Sequence, residues 1–377
     1  MTSAPACLGC EHPLPEPFLD LGMQPLANAL IAPAEVDRVE RSYRLAVALC
    51  PGCGLVQLAY RVPPELLFAE YSYYSSYSES FLEHARAMSS LLADRFRLDS
   101  RSRVLEIASN DGYLLQYFQA RGIPVLGIEP ARNVARAAEA RGIPTLTRFF
   151  GPDAVPEVLR RFGPADLIVG NNVLAHVPQI NGFLRAVRDC LSPTGAAVFE
   201  FPHVRELLER TEFDTIYHEH VFYYSLSAVR TLARRAGFDL IDAESLPVHG
   251  GSLRVYLGSG SAAPRVETLL AREEEEGLLS PHRYCAFSRS VQSLRESIRA
   301  DLEERKRAGH RLAAYGAPAK GAILLNSCGI GRELLDFTVD RSPHKQGRLM
   351  PGSRIPIRAP EALLEERPAY TLILPWN

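Results

Sequence analysis

The run Asp214-Thr215-Ile216-Tyr217-His218-Glu219-His220-Val221-Phe222-Tyr223-Tyr224 concentrates acid–base chemistry in a few positions. A phenol, two imidazoles and a carboxylate stand side by side from Tyr217 to His220. Histidine titrates near neutral pH, at about 6.5 when unperturbed, so it can take and return protons in the cell. A tyrosine hydroxyl can hydrogen-bond a developing oxyanion, and a carboxylate can fix an imidazole tautomer. The same residue types also bind metals. On an extended chain His218 and His220 share a face and form a ligand pair, and a polar surface loop is the third reading. The run by itself leaves all three open.

Sulfur supplies a second constellation. Four of the seven cysteines form two pairs, Cys7-x2-Cys10 and Cys50-x2-Cys53. Each CxxC turn aims two thiolates at one ion, and two such turns close a tetrahedral all-sulfur zinc site. Sulfur fills every position, so no site is left for Lewis-acid chemistry and the zinc is expected to be structural. The segment between the pairs, with Pro25, Pro33 and few long apolar runs, is expected to bury little core without the metal. Zinc knuckles often accompany nucleic acids, but Glu11, Glu16, Asp20, Glu35, Asp37 and Glu40 weaken that reading here.

Composition narrows the class. A chain of 377 residues calls for two or three domains. Its 46% hydrophobic and 23% charged residues are those of a globular protein. With 42 Lys and Arg against 44 Asp and Glu, there is no cationic excess to hold a nucleic acid. No apolar run reaches the roughly 18 residues that span a bilayer, and the N-terminus lacks the charged and apolar regions of a signal peptide. The expectation is a cytoplasmic monomer without membrane or nucleic-acid partners, its cysteines thiols or metal ligands.

The elements that must position these residues form an α/β chain in three parts: a zinc-binding module over residues 1–70, a Rossmann-like domain over 71–260 and a second Rossmann-like α/β lobe over 261–377. In the central part, strands at 103–108, 124–128, 145–147, 166–170 and 196–201 alternate with helices, which predicts a parallel doubly wound sheet with its ligand at the strands' carboxyl ends. Glu129, closing the second strand, is placed to accept hydrogen bonds from ribose hydroxyls. The first loop, Ala108-Ser109-Asn110-Asp111-Gly112, lacks the glycines of a dinucleotide site, and Asp111 adds negative charge. That loop repels a pyrophosphate and suits the ammonium and sulfonium of S-adenosylmethionine. Glu106, Asn110, Asp111, Gly112 and Glu129, with Asn171 and Asn172 after the fourth strand, make the expected donor site. His176 follows at the same strand end. The run 214–224 links the fifth strand to the next helix, at that sheet edge and over the methyl group. A final antiparallel pair, 239–245 and 252–257, completes a seven-stranded sheet.

Ile107-Ala108-Ser109-Asn110-Asp111-Gly112, the Asn-Asn-Val-Leu-Ala-His run, Tyr-His-Glu-His and His-Gly-Gly-Ser occur in that order. Together they resemble the nucleotide-sugar C-methyltransferases of deoxysugar biosynthesis, which also carry a four-cysteine zinc module and a C-terminal Rossmann-like domain. The resemblance covers essentially the whole chain. It implies that Tyr217, Glu219 and His220 line the acceptor site with His220 as base, and that His176 and Tyr71 reach the same cavity. It also implies a 4-keto deoxysugar nucleotide as acceptor. Methyl transfer to carbon needs a carbanion equivalent, which a ketone supplies as its enolate. Tyr217 or His176 would then donate to the enolate oxygen and Glu219 would orient an imidazole. His218 is given no role.

In the C-terminal part, Gly316-Ala317-Pro318-Ala319-Lys320-Gly321 opens a helix after a strand, and Asp340 to Gly347 follows another strand with His344 and Lys345. Neither is a P-loop or an intact dinucleotide fingerprint. Strand–loop–helix units still aim amides at anions, and the resemblance implies that this lobe helps bind the acceptor's diphosphate, with Lys320, His344 and Lys345 as the expected contacts.

Overall fold

The computed structural model describes residues 5–67 and 74–376. Three sheets carry the fold. The N-terminal strands are β1 (Leu19–Pro25), β2 (Ser42–Leu49) and β3 (Val56–Leu58). The central strands are β4 (Val104–Ile107), β5 (Val125–Ile128), β6 (Thr145–Leu146), β7 (Ala165–Asn171) and β8 (Leu191–Pro202). A two-residue strand, β9 (Phe222–Tyr223), precedes β10 (Asp239–Leu246) and β11 (Ser252–Gly258). The last lobe adds β12 (Leu312–Tyr315), β13 (Thr338–Val339), β14 (Ile357–Arg358) and β15 (Tyr370–Ile373).

The central sheet runs β10-β11-β8-β7-β4-β5-β6, with β11 antiparallel to both its neighbours and the remaining pairs parallel. All four residues of β4 and of β5 are buried, as expected of strands covered on both faces. Ligand chemistry therefore gathers where β4, β7 and β8 end together: Glu106 pairs with Val169, and Asn171 with Glu200. Helix Glu79–Arg95 covers one face. Ser78 caps it by accepting from the Phe81 amide, and its buried residues Ala85, Met88, Ser89 and Leu92 recur at helical spacing. The C-terminal lobe is a four-stranded parallel sheet in the order β14-β13-β12-β15, preceded by the long helix Pro281–Arg307.

Two features depart from the sequence reading. β9, just after Tyr-His-Glu-His within the run 214–224, is the edge strand of the N-terminal sheet, whose order is β1-β2-β3-β9. The N-terminal segment also buries a real core: Leu45 to Ala48 are fully inaccessible. Much of that core is shared with the C-terminal lobe. Phe18 packs against Tyr284 with ring centroids 4.8 Å apart, and Leu45, Val47 and Val56 join the same cluster as Phe287 and Val291. Among the described residues no helix is long and apolar enough to cross a membrane.

Candidate active site

The run 214–224 is not extended. The His220 amide bonds to the Tyr217 carbonyl at 2.9 Å, closing a turn that sends the two histidines different ways. His218 turns to the N-terminal sheet, its Nε2 3.2 Å from the Tyr43 carbonyl. His220 turns inward, with Nδ1 3.1 Å from the Thr215 carbonyl and Nε2 2.8 Å from the Tyr217 hydroxyl. A carbonyl only accepts, so Nδ1 carries the proton and Nε2 holds the lone pair that the phenol donates to. The His-x-His metal pair is thereby excluded by geometry.

His176, on the loop after β7, has Nδ1 2.8 Å from the Glu219 carbonyl and its ring centroid 4.9 Å from that of His220. Burial lowers His176 to about 4; burial and the neighbouring imidazole lower His220 to about 3. Both rings are neutral at physiological pH. Glu219 does orient an imidazole, but through its backbone. Its carboxylate instead accepts from Asn28 Nδ2 at 2.6 Å, and burial raises it to about 7. Asn28 belongs to the N-terminal module and carries no motif that would have flagged it. Tyr71 lies outside the described residues.

Three separate anchors hold the run. Leu58 donates to the Val221 carbonyl while the Val221 amide donates to Ala175, which ties the run to both the N-terminal sheet and the β7 loop. At its start, Trp376 Nε1 donates to Asp214 at 2.7 Å.

The donor loop contains three residues with left-handed backbone, Ala108, Asn110 and Gly112, and Asn172 after β7 is a fourth. Non-glycine residues in this region are strained and gather at functional sites. At Gly112 a Cβ would lie 2.8 Å from Ile143, so both its φ and its space require glycine. Glu129 accepts from the Asn110 and Ala131 amides at 3.0 and 2.8 Å, which orders the loop and leaves lone pairs for ribose hydroxyls. Asp111 is less available than its sequence position suggests: Arg141 lies 3.0 Å away and Ser76 donates to it. Its charge is therefore largely offset.

The unmatched acceptors lie deeper. Both Glu106 oxygens and Asn171 Oδ1 are buried without a hydrogen bond of normal geometry, as is Asp111 Oδ1. Burial, and then the nearby carboxylates of Glu129 and Asp111, raise Glu106 well above the usual carboxylate range. Asn171 Nδ2 is turned away, donating to the Tyr113 hydroxyl at 3.1 Å. Buried acceptors without donors cost roughly 1–3 kcal/mol each. A ligand ammonium supplies the missing donors, so these residues fit S-adenosylmethionine.

Cys7, Cys10, Cys50 and Cys53 present four sulfurs within 4.8 Å of one another, and this is the metal-capable cluster among the described residues. Hydrogen bonding from Cys53 draws Cys7 down to about 4, burial lifts Cys50 to about 11, and the Cys7 contact raises Cys53. So compact a set of thiols fits one Zn²⁺ with no open position.

The C-terminal candidates have protein partners of their own or lie at the surface. Lys320 Nζ lies 4.3 Å from the centre of the Trp376 ring, in the field of Asp214 and Glu212. Lys345 donates to the Ala317 carbonyl at 2.9 Å and lies 3.5 Å from Asp340, which also takes the Ala317 amide. His344 is exposed. Lys320, Lys345 and the Ala317 amide thus have acidic neighbours with which a diphosphate would compete.

Another buried pair was overlooked. His84 Nε2 lies 2.6 Å from Glu200, whose other oxygen meets Arg254 Nε at 2.5 Å. Its sequence signal was a histidine one turn before Met88 on the buried stripe of a helix.

Family models match the chain in three consecutive parts: a zinc binding domain over residues 7–68, a methyltransferase domain over 80–243 and a C-methyltransferase C-terminal domain over 247–377. The chain is 35% identical over 378 residues to C-methyltransferase NovU of Streptomyces niveus, covering 98% of this chain and 89% of that protein. Among solved structures, a TehB-like SAM-dependent methyltransferase from Corynebacterium glutamicum is 15% identical at a TM-score of 0.35, covering 52% of this chain and 93% of its own. A SAM-dependent methyltransferase from Clostridium acetobutylicum is 12% identical at 0.39, with coverages of 52% and 96%. With its four-cysteine cluster, its seven-stranded sheet and this full-length relative, the chain belongs to the S-adenosylmethionine-dependent C-methyltransferases.

Proposed function

We propose that this enzyme methylates a carbon next to the ketone of a nucleotide-linked 4-keto deoxysugar, with His220 as the base. The observation that carries the proposal is the fixed tautomer of His220: Nδ1–H is held by the Thr215 carbonyl, and Nε2 keeps its lone pair in a buried pocket. A base that must be neutral at rest is kept neutral by burial.

Acceptor binding turns the Tyr217 hydroxyl from Nε2 to the ketone oxygen. Nε2 then takes the α-proton while the phenol stabilises the enolate oxygen. The imidazolium so formed lies beside the enolate, whose charge offsets the cost of a buried cation. His176, its Nδ1 fixed by Glu219, lines the same space. When bound, the donor supplies an electrophilic methyl to the nucleophilic carbon. Glu106, Asn171, the loop 108–112 and Glu129 bind and orient it, and the zinc site stabilises the module that carries Asn28 and β3.

Incubation with S-adenosylmethionine and thymidine-diphospho-4-keto-deoxysugars in deuterated water tests this reading. It predicts one added methyl on carbon and deuterium wash-in at the α-position. Methylation of oxygen or nitrogen, or turnover without α-exchange, refutes it. A neutral sugar nucleotide lacking the ketone is expected to be inert.

A further inference from the structure

S-adenosylmethionine carries its ammonium and its carboxylate on one carbon, so their protein partners must be neighbours. Glu106 and Asn171 offer acceptors to the ammonium. The carboxylate needs an N–H donor beside them.

Helix Glu79–Arg95 covers the face on which these residues stand. Met88 Sδ lies 3.5 Å from Asn171 Nδ2, and His84, one turn earlier, meets Glu200. Glu200 is the ladder partner of Asn171, so the two backbones lie about 4.8 Å apart with their side chains on one face. Phe81 stacks on Tyr113 with centroids 4.9 Å apart and at 6.3 Å from the His84 ring, which aligns the imidazole with the phenol that holds Asn171.

The other cations nearby are committed. Arg254 is bound to Glu200 and Glu244, Arg141 to Asp111, and Arg95 to Asp242. His84 Nδ1 has no hydrogen-bond partner among the described residues, although its side chain is only 16% exposed. Burial pushes Glu200 upward, but the His84 bond and the Arg254 charge outweigh it and keep the carboxylate ionised.

We propose that His84 binds the carboxylate of the methyl donor, its ring held in place by Glu200 and Arg254. In the doubly protonated ring both nitrogens are donors: Nε2–H serves Glu200 and Nδ1–H meets the ligand. The proposal rests on the reading that the donor's amino-acid end lies at the ends of β4 and β7.

The test compares two ligands on the full chain by calorimetry: S-adenosylhomocysteine and decarboxylated S-adenosylmethionine, which lacks the carboxylate. A charge-assisted hydrogen bond corresponds to roughly 10- to 100-fold in affinity. His84→Ala is expected to lose that factor for S-adenosylhomocysteine and less than about threefold for the decarboxylated ligand. His84→Gln keeps a donor toward Glu200, guards against misfolding, and is expected to show the same discrimination in weaker form. Equal losses for both ligands would mean a merely structural histidine and overturn the proposal, as would unchanged affinity for S-adenosylhomocysteine. If the unmutated protein binds neither ligand, the donor site itself is misplaced and the assignment falls with it.

Discussion

Glu219 gives a quantitative test of how the site is built. Its carboxyl is 5% exposed, accepts from Asn28, and is raised by burial from 4.5 to about 7. An unfolded chain releases this proton near pH 4.5, whereas the folded protein keeps it until about pH 7. Through that window the folded state binds more protons than the unfolded one, so stability falls as pH rises. With a 2.5-unit difference the penalty is about 0.8 kcal/mol at pH 5 and about 3.3 kcal/mol at pH 8. Glu219→Gln removes the charge and keeps an oxygen for Asn28. Its stability relative to the unmutated protein should therefore improve by about 2.5 kcal/mol between pH 5 and pH 8. Urea unfolding of both proteins at the two pH values measures the difference. Glu212, also raised to about 7, titrates in both proteins and cancels. A pH-independent difference between the two proteins, or one in which the glutamine variant's relative stability falls from pH 5 to pH 8, would refute a buried, destabilised carboxyl at this position.

Further outcomes follow from the same geometry. His220→Asn is expected to lower α-proton exchange and methyl transfer together by about 10²- to 10⁴-fold while S-adenosylhomocysteine binds as before; exchange at a normal rate removes His220 from the base role. If the four cysteines hold a structural zinc, stripping it with a chelator should abolish acceptor turnover, with donor affinity within about threefold, because the module it would stabilise pairs with β9 and carries Asn28. Full turnover by metal-free protein would disprove that coupling. Donor binding should release a proton: burial raises Glu106 well above the usual carboxylate range and a bound ammonium would favour its ionised form, so affinity weakens as pH falls. Calorimetry in buffers of different ionisation enthalpy reads this release, and Glu106→Gln should eliminate it.

The central sheet was legible because its strands are short apolar runs separated by helical stretches, and period plus length decide such cases. The four cysteines were legible because ligand spacing is local. β9 was not: it is two residues long and pairs with Val56 and Gln57, across a separation that no periodicity records. At Glu219 the contact to an imidazole is made by the backbone carbonyl and not by the carboxylate, a distinction that a sequence, which writes both as one letter, does not record. Lys320 and Lys345 follow strand ends, which made them candidate anion ligands. The sequence showed their charge, but the folding that brings Asp214 and Glu212 to Lys320 is tertiary. His84 was hidden by the opposite bias, being a histidine inside a helix that the pattern explains as packing.

A closed zinc site far from a reacting carbon need not be remote in energy. Fixing the backbone of one residue costs about 1–2 kcal/mol, so an eleven-residue run that bears the base is expensive to hold in a single conformation. Here β3 and the β7 loop bond to Val221, and Trp376 bonds to Asp214. Each anchor comes from a different lobe, two of them meeting at Val221 and the third holding Asp214 at the start of the run. The imidazoles impose a further demand. Burial holds both rings well below the ordinary histidine value, and a loosened run would admit water and let them take up protons more readily, which occupies the lone pair that the α-proton requires. Under the proposed mechanism, holding the N-terminal sheet rigid is thus a condition for His220 to act as the base, and a metal bound by the four cysteines would supply that rigidity from a distance.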